Sequence, residues 1–252
     1  DSLDFKTFYP TDVMETAGEI IFFWVSRMIM LGLYVTGKIP FKMVYLHGLV
    51  LDSNGLKMSK SKGNVIDPFV LTEKYGTDAF RMGMVVGNTP GTSLALADER
   101  IRGYKNFANK MWNVARFVLD NTKDLTAPDP KNYDEEDKKS EKELNDLIKI
   151  ITKEMDEYKF YIVAEKLYHY FWHTFADIII ERSKKKILEE KNADSAKTLI
   201  YTHLVTLLKT LHPFMPFVTE EIWSMLPNKK KILMVEKWPL AFARDVPPNK
   251  ND

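Results

Sequence analysis

The chain has 252 residues, with 36 Lys and Arg against 35 Asp and Glu, and no cysteine. The missing cysteine excludes a disulfide-stapled domain, a Cys-ligated metal site and a cysteine nucleophile, and 45% hydrophobic residues exclude a mainly disordered chain. The formal charge of +1 neither points to nucleic acid nor excludes it, since binding needs only a basic patch.

Asp1, Asp4 and Lys6 open the chain without the basic start and apolar core of a signal peptide, so a cytoplasmic protein is expected. Ile20 to Val35 is apolar but short for a bilayer and carries Arg27 at its centre, which predicts a buried helix of a soluble protein. Tyr45 to Leu51 reads as a strand. Asp52-Ser53-Asn54-Gly55 reads as a tight turn in which Asn-Gly supplies positive φ angles. Pro68 to Val86 reads as two short helices split at Gly76. A helix follows from Asp98, as N-cap, to Asp120. Residues 122–138, polar and with two prolines, read as a linker. Beyond it, Ser140 and Glu143 resemble a capping box, a longer helix spans Phe160 to Glu190, and Leu204, Leu207, Leu208 and Leu211 mark a third helix. The tail, Lys229 to Asp252, is basic and then Pro-rich, with one strand at Ile232 to Val235. The pattern is the end of an α/β domain followed by an antiparallel helical bundle.

The chemistry sits in Lys57-Met58-Ser59-Lys60-Ser61-Lys62-Gly63-Asn64, which puts three lysines within six residues just after a strand and turn. Ammonium groups, serine hydroxyls and a glycine that lets the backbone approach a ligand suit a triphosphate. Placed cations would meet the charge that develops on a leaving pyrophosphate. A solvated Lys/Ser loop is the plainer reading of such a run in isolation. The full string, followed by Val65-Ile66-Asp67-Pro68, resembles the KMSKS signature of the class I aminoacyl-tRNA synthetases letter for letter.

Other stretches resemble the valyl branch of that family. They include Phe8-Tyr9-Pro10-Thr11-Asp12, Ile20 through Met28, His47-Gly48-Leu49-Val50 and Asn88-Thr89-Pro90-Gly91. Asn106 through Asn113, Leu211 through Phe217 and Glu220-Glu221-Ile222-Trp223 extend the resemblance over nearly the whole chain. It implies the second half of a Rossmann-like catalytic domain over 1–97, an anticodon-binding helical bundle over 98–228 and a tail over 229–252. The implied reaction joins valine to its tRNA through a valyl-adenylate, with ATP and Mg2+ as substrate and no membrane or DNA partner.

By that resemblance Lys57 and Lys60 close over the ATP phosphates, Ser59 and Ser61 shape the loop, and Met58 packs beneath it. His47, Gly48 and Val50 cradle the adenosine. Ile20 and Trp24 wall the valine side chain, their spacing of four putting both on one helix face, and Glu19 meets the ammonium. Glu19 stands where the family carries an aspartate, and Ala17-Gly18 replaces a Gly-aromatic pair. An apolar wall of this kind excludes isoleucine by size but discriminates weakly against threonine.

The helix from Asp98 carries Arg100, Arg102, Lys105, Lys110 and Arg116, with Phe107, Trp112 and Phe117 interleaved. Basic groups can pair with phosphates while an exposed ring stacks on a splayed base. The resemblance places Lys110, Arg116 and Phe117 where the family meets the anticodon, and the basic Arg102 and Lys105 are read toward tRNA with them, although core packing is an equal reading for Phe117 and the stronger one for Trp112. His169 and His173 are four apart, a metal-ligand spacing, but no third ligand accompanies them and no metal site is expected. Lys184-Lys185-Lys186 reads as a solvated face, with contact to the tRNA backbone as the second reading. The family's His-Ile-Gly-His motif and editing insertion are not in these residues, so the chain is expected to start just past that insertion and to be inactive alone. Half of a doubly wound sheet would leave apolar faces uncovered. The alternative reading is a stand-alone tRNA-binding module without catalysis.

Overall fold

A computed structural model describes residues 2–125, 128–227 and 231–241. The chain divides into two compact units, Asp1–Asp67 with Asn88–Ala97, and Pro68–Gly87 with Asp98–Asp252. Packing divides the chain between Ala97 and Asp98, and it also sets Pro68–Gly87 apart from the segments on either side of it. Pro68–Gly87 joins the helical unit, because Met82 and Val86 enter the same buried cluster as Phe107 and Met111.

The first unit opens with α1 (Leu3–Phe8), then β1 (Thr11–Ala17), a 3-10 turn (Gly18–Ile20), a π turn (Ile21–Val25), α2 (Ser26–Thr36) and β2 (Phe41–His47). β1 and β2 pair in parallel from Thr11 opposite Phe41 to Ala17 opposite His47. Parallel neighbours need a crossover, and the helical stretch between them provides it. α2 stops at Gly37, whose φ of +69° makes the left-handed C-terminal cap. The strand expected over Tyr45–Leu51 is interrupted. β2 ends at His47, and β3 (Val50–Leu51) pairs in parallel with β4 (Leu94–Ala95) instead.

The apolar stretch is not the buried helix its composition suggested. Val25 is buried, but Phe22, Trp24, Met30, Leu31, Tyr34 and Val35 are all at least half exposed. Gly18–Thr36 is the single helical stretch, among the described residues, long and apolar enough to span a bilayer. Apolarity told that the stretch needs cover; it could not tell that two parallel strands cover only part of it. The uncovered faces expected of a half sheet are present.

The tight turn also differs. Gly55 takes φ +75°, while Asn54 is not among the positive-φ residues. The Asp52 carboxylate accepts the Asn54 and Leu56 N–H groups, so an Asx-type bond shapes the turn in place of two left-handed residues.

In the second unit, α3 (Pro68–Tyr75) and α4 (Thr77–Val85) are split at Gly76 as read, and α5 (Asp98–Asn121) follows. The Asp98 carboxylate accepts from Lys74 Nζ and Tyr75 Oη at 2.6 and 2.8 Å, which ties α5 to α3. Both donors hold it below the usual carboxylate range.

The expected capping box is displaced. α6 (Glu135–Asp156) starts five residues before Ser140, with Asp134 accepting the Asp137 N–H as N-cap and three acids in its first turn. Ser140 is buried and meets Arg182 instead. The linker is correspondingly shorter and contains a 3-10 turn, Pro130–Asn132.

α7 (Phe160–His169), a π-helical stretch (Tyr170–Ile180) and α8 (Glu181–Leu188) make up the expected long helix. α9 (Ala193–Leu211) buries all four leucines of the i, i+3, i+4, i+7 series, and α10 (Pro216–Ser224) closes the unit. The core centres on Phe107, Phe171, Phe175, Ile200 and Trp223. Lys186 is not on a solvated face: its Nζ donates to Asp134 and to the fully buried Asp137, which also accepts from Ser195. Leu233–Val235 is a 3-10 turn, not a strand, because the Glu220 carboxylate takes the Leu233 N–H that a ladder would need.

Candidate functional site

Ligands of parallel α/β sheets bind beyond the carboxyl ends of the strands. β1 ends at Ala17 and runs into Gly18, Glu19 and Ile20. β2 ends at His47 and runs into Gly48. The site residues read from the sequence therefore gather at one crest. His47 Nδ1 lies 2.9 Å from the Gly48 carbonyl and Nε2 lies 3.5 Å from Glu15. Gly48 is compressed against the chain: a Cβ there would sit 1.7 Å from the Thr92 carbonyl oxygen. Val50 is half-buried in β3.

The lysine loop returns to this crest. Lys57 Nζ donates to both Glu19 carboxylate oxygens, at 3.1 and 2.9 Å. The acid that the resemblance assigns to an amino-acid ammonium and the lysine that it assigns to phosphate thus pair with each other. Both are more than half exposed, so the pair adds at most about 1 kcal/mol and gives way readily to a ligand. Lys60–Lys62 forms a 3-10 turn closed at Gly63, whose φ is +66°. Ser59 and Ser61 hydroxyls are 3.2 Å apart, and Met58 is half-buried while Lys60 is exposed.

Ile20 and Trp24 do not share a regular helix face. Ile20 ends a 3-10 turn and Trp24 lies in the π turn, and both are exposed. The spacing of four assumed a 3.6-residue period that this stretch does not keep. Single π turns recur at functional positions.

In the second unit, α5 lines a groove of about 420 Å³ against the π stretch and α8. Arg102 and Arg116 are exposed. Lys105 donates to the Lys74 carbonyl. Lys110 pairs with Asp177 and lies 4.7 Å from the Trp172 ring centroid. Phe117 is half-buried with Lys184 Nζ 5.3 Å over its ring. Trp112 packs against the core. His169 and His173 stack on each other beside Glu165 and Asp177.

A model of class I tRNA synthetases (I, L, M and V) matches residues 1–97, and one of the anticodon-binding domain of tRNA ligases matches residues 137–250. The valine–tRNA ligase of Carboxydothermus hydrogenoformans is 43% identical over 246 residues, which is 95% of this chain and 28% of that protein. That of Bacillus subtilis is 42% identical over 247 residues, 94% of this chain and 27% of its own length. The chain belongs to the class I tRNA synthetases. It spans a little over a quarter of the length of the relatives it matches.

Solved synthetases share the fold. The Agrobacterium radiobacter K84 LeuRS in a ternary complex with tRNA and LeuAMS superposes with a TM-score of 0.74 over 92% of this chain and 29% of its own, at 23% identity. Mycobacterium tuberculosis methionyl-tRNA synthetase bound to methionyl-adenylate gives 0.73 over 88% of this chain and 45% of its own, at 24% identity.

Sequence reasoning missed two groups in this synthetase chain. Asn106, Asn109 and Asn113 line the α5 groove beside Lys110 and Phe117. Their i, i+3, i+7 spacing is the signal for them in the sequence, but amides announce a ligand less than the charges interleaved with them. The second group is Asp52 with Asn64. Asp52 was read only as a turn residue and Asn64 as the end of the motif, because their contact spans the loop between them.

Proposed function

We propose that this chain is part of a valine–tRNA ligase, which forms valyl-adenylate from valine and ATP and then transfers valine to its tRNA. The observation that carries this reading is the Lys57–Glu19 pair. A phosphate-type lysine loop rests against an acid at the carboxyl crest of parallel strands, where an ammonium group of one substrate and the phosphates of the other would meet. Incoming valine would offer its ammonium to Glu19 and free Lys57 for the phosphates of ATP, which enters with Mg2+. Lys60, exposed on the 3-10 turn, would meet the charge that builds on departing pyrophosphate. His47, Gly48 and Val50 would hold the adenosine, and Ile20 and Trp24 would wall the valine side chain.

The α5 groove is the proposed tRNA face. Arg102 and Arg116 would contact phosphates, while Lys105 and Lys110, already engaged by protein groups, would act mainly by shaping the surface. Phe117 and the three asparagines offer a ring and amides to an unstacked base. The antiparallel arrangement of the bundle is supported by short connections, 157–159 between α6 and α7 and 189–192 between α8 and α9. Arg27 within the apolar stretch and a family of enzymes acting on tRNA support a cytoplasmic location.

Lys60→Ala in the full-length protein tests the assignment. Valine-dependent ATP–pyrophosphate exchange should fall about a hundredfold or more, the scale of losing one preorganised transition-state donor. An exchange rate near wild type would remove the role given to the loop.

A further inference from the structure

We propose that Asn64, clamped by Asp52, is a positioning residue that holds the lysine loop in the shape from which Lys57 and Lys60 act; the catalytic half of this proposal rests on the ligase reading above. The Asn64 side chain grips the loop at three points. Its Nδ2 donates to Asp52 Oδ2 at 2.8 Å and to the Lys57 carbonyl at 3.3 Å, and its Oδ1 accepts the Ser59 N–H at 2.9 Å. The amide orientation follows from these partners, since two acceptors face the nitrogen and one donor faces the oxygen.

Asp52 is itself fixed. It is 7% exposed, and its other oxygen accepts the Asn54 and Leu56 N–H groups. The bond from Asn64, the Leu56 and Asn54 amides and the nearby Lys62 charge hold its carboxyl below the usual range, so it stays an acceptor through the neutral region. Gly63, at φ +66°, turns the chain back so that Asn64 faces the loop it has just left. The result is a closed ring of main chain, residues 52–64, with one buried carboxylate at its base and one amide across its neck.

The physical need is clear from the lysines. Each carries a flexible four-carbon stem with many rotamers to lose on ordering. Donors contribute most when they require no reorganisation as charge develops. Lys60 is exposed, and Lys57 is tethered by an exposed ion pair to Glu19 that a ligand would displace, so the backbone beneath them must be fixed instead. Asn64 touches that backbone on either side of Met58, at Lys57 and Ser59.

Two experiments separate the clamp from the catalysis. In the 252-residue chain, trypsin should cut after Lys57, Lys60 and Lys62 about tenfold faster in Asn64→Ala than in wild type, the scale of a lost hydrogen bond to a charged group. Cutting within the helical unit should be unchanged. In the full-length protein, Asn64→Ala and Asp52→Asn should each lower kcat for adenylate formation about tenfold, with the KM for valine within twofold.

The double swap Asp52→Asn with Asn64→Asp exchanges donor for acceptor across the neck and keeps the bonds to Asn54, Leu56 and Ser59, giving up only the 3.3 Å bond to the Lys57 carbonyl. It should recover most of both losses, whereas Asn64→Asp alone sets two carboxylates against each other. Unchanged tryptic cutting in Asn64→Ala overturns the clamp. Faster cutting with unaltered kcat overturns its positioning role, as does a double swap no better than the worse single change. If the wild-type protein activates no valine, the ligase reading fails, while the proteolysis result still decides the clamp.

Discussion

Gly48 shows how tightly single residues are specified at the crest. A Cβ at this position would meet the Thr92 carbonyl oxygen at 1.7 Å and the Ser93 nitrogen at 2.8 Å, and these are backbone atoms that cannot swing aside. The approach is close because the Leu94 N–H donates to the Leu49 carbonyl and the Leu96 N–H to the Leu51 carbonyl. Gly48→Ala should therefore break the β3–β4 pairing. Amide hydrogen exchange at Leu94 and Leu96 should accelerate at least tenfold, while Gly18→Ala, with open space around its Cβ, should leave it unchanged. The glycine itself was legible in the His47-Gly48-Leu49-Val50 string. Its reason was not, because Thr92 lies 44 positions away and neither residue's type announces the contact.

At the scale of elements, helix ends are set by partners far along the chain. α10 has Pro216 at its start and no side-chain cap of its own. Its first N–H groups, on Phe217 and Val218, are taken at 3.2 and 2.6 Å by Asp78 on α4. Arg81, one turn on, donates to the Phe214 and Pro213 carbonyls. Asp78→Ala should cost about 1–2 kcal/mol in urea unfolding, the range of a lost N-cap. Asp78→Asn, which keeps an acceptor oxygen, should cost less. Local sequence reading located α4, α5 and α9 well, from Gly76, from Asp98 and from the leucine series. It failed at the start of α6, where Asp134 outcompetes Ser140, and at Ile232–Val235, where Glu220 diverts the backbone. In both cases a carboxylate chose the ending, and carboxylates carry no period.

For the whole molecule, pH is the clearest global handle. His203 is buried between Tyr170 and Phe175, its Nδ1 2.9 Å from the Leu199 carbonyl. Burial pushes its pKa down from 6.5 to about 4. The unfolded chain therefore binds the proton first as pH falls. Stability is full above about pH 6.5 and is lost progressively toward pH 4, on the order of 2–3 kcal/mol from this group. Urea unfolding monitored by helical circular dichroism should show that loss in wild type. His203→Leu should flatten the slope between pH 6.5 and 4.5; an unchanged slope would mean that carboxylates carry the acid sensitivity. The same histidine looked unremarkable in the sequence, one of five, because burial is decided by all the helices that surround it.

The near-neutral, cysteine-free sequence determined the elements with strong local signals, a lysine loop of a composition suited to phosphate, and membership in a synthetase family. These depend on residue type and short spacing, which the chain carries in linear order. Tertiary structure alone decided that Lys57 meets Glu19, that Asn64 closes on Asp52, that Gly48 admits no side chain, and that Pro68–Gly87 packs with the helical unit. It also decided that the apolar stretch after β1 stays largely uncovered. Those outcomes depend on which groups arrive within about 3 Å of one another, and hydrogen bonds of that length have no signature in composition or period.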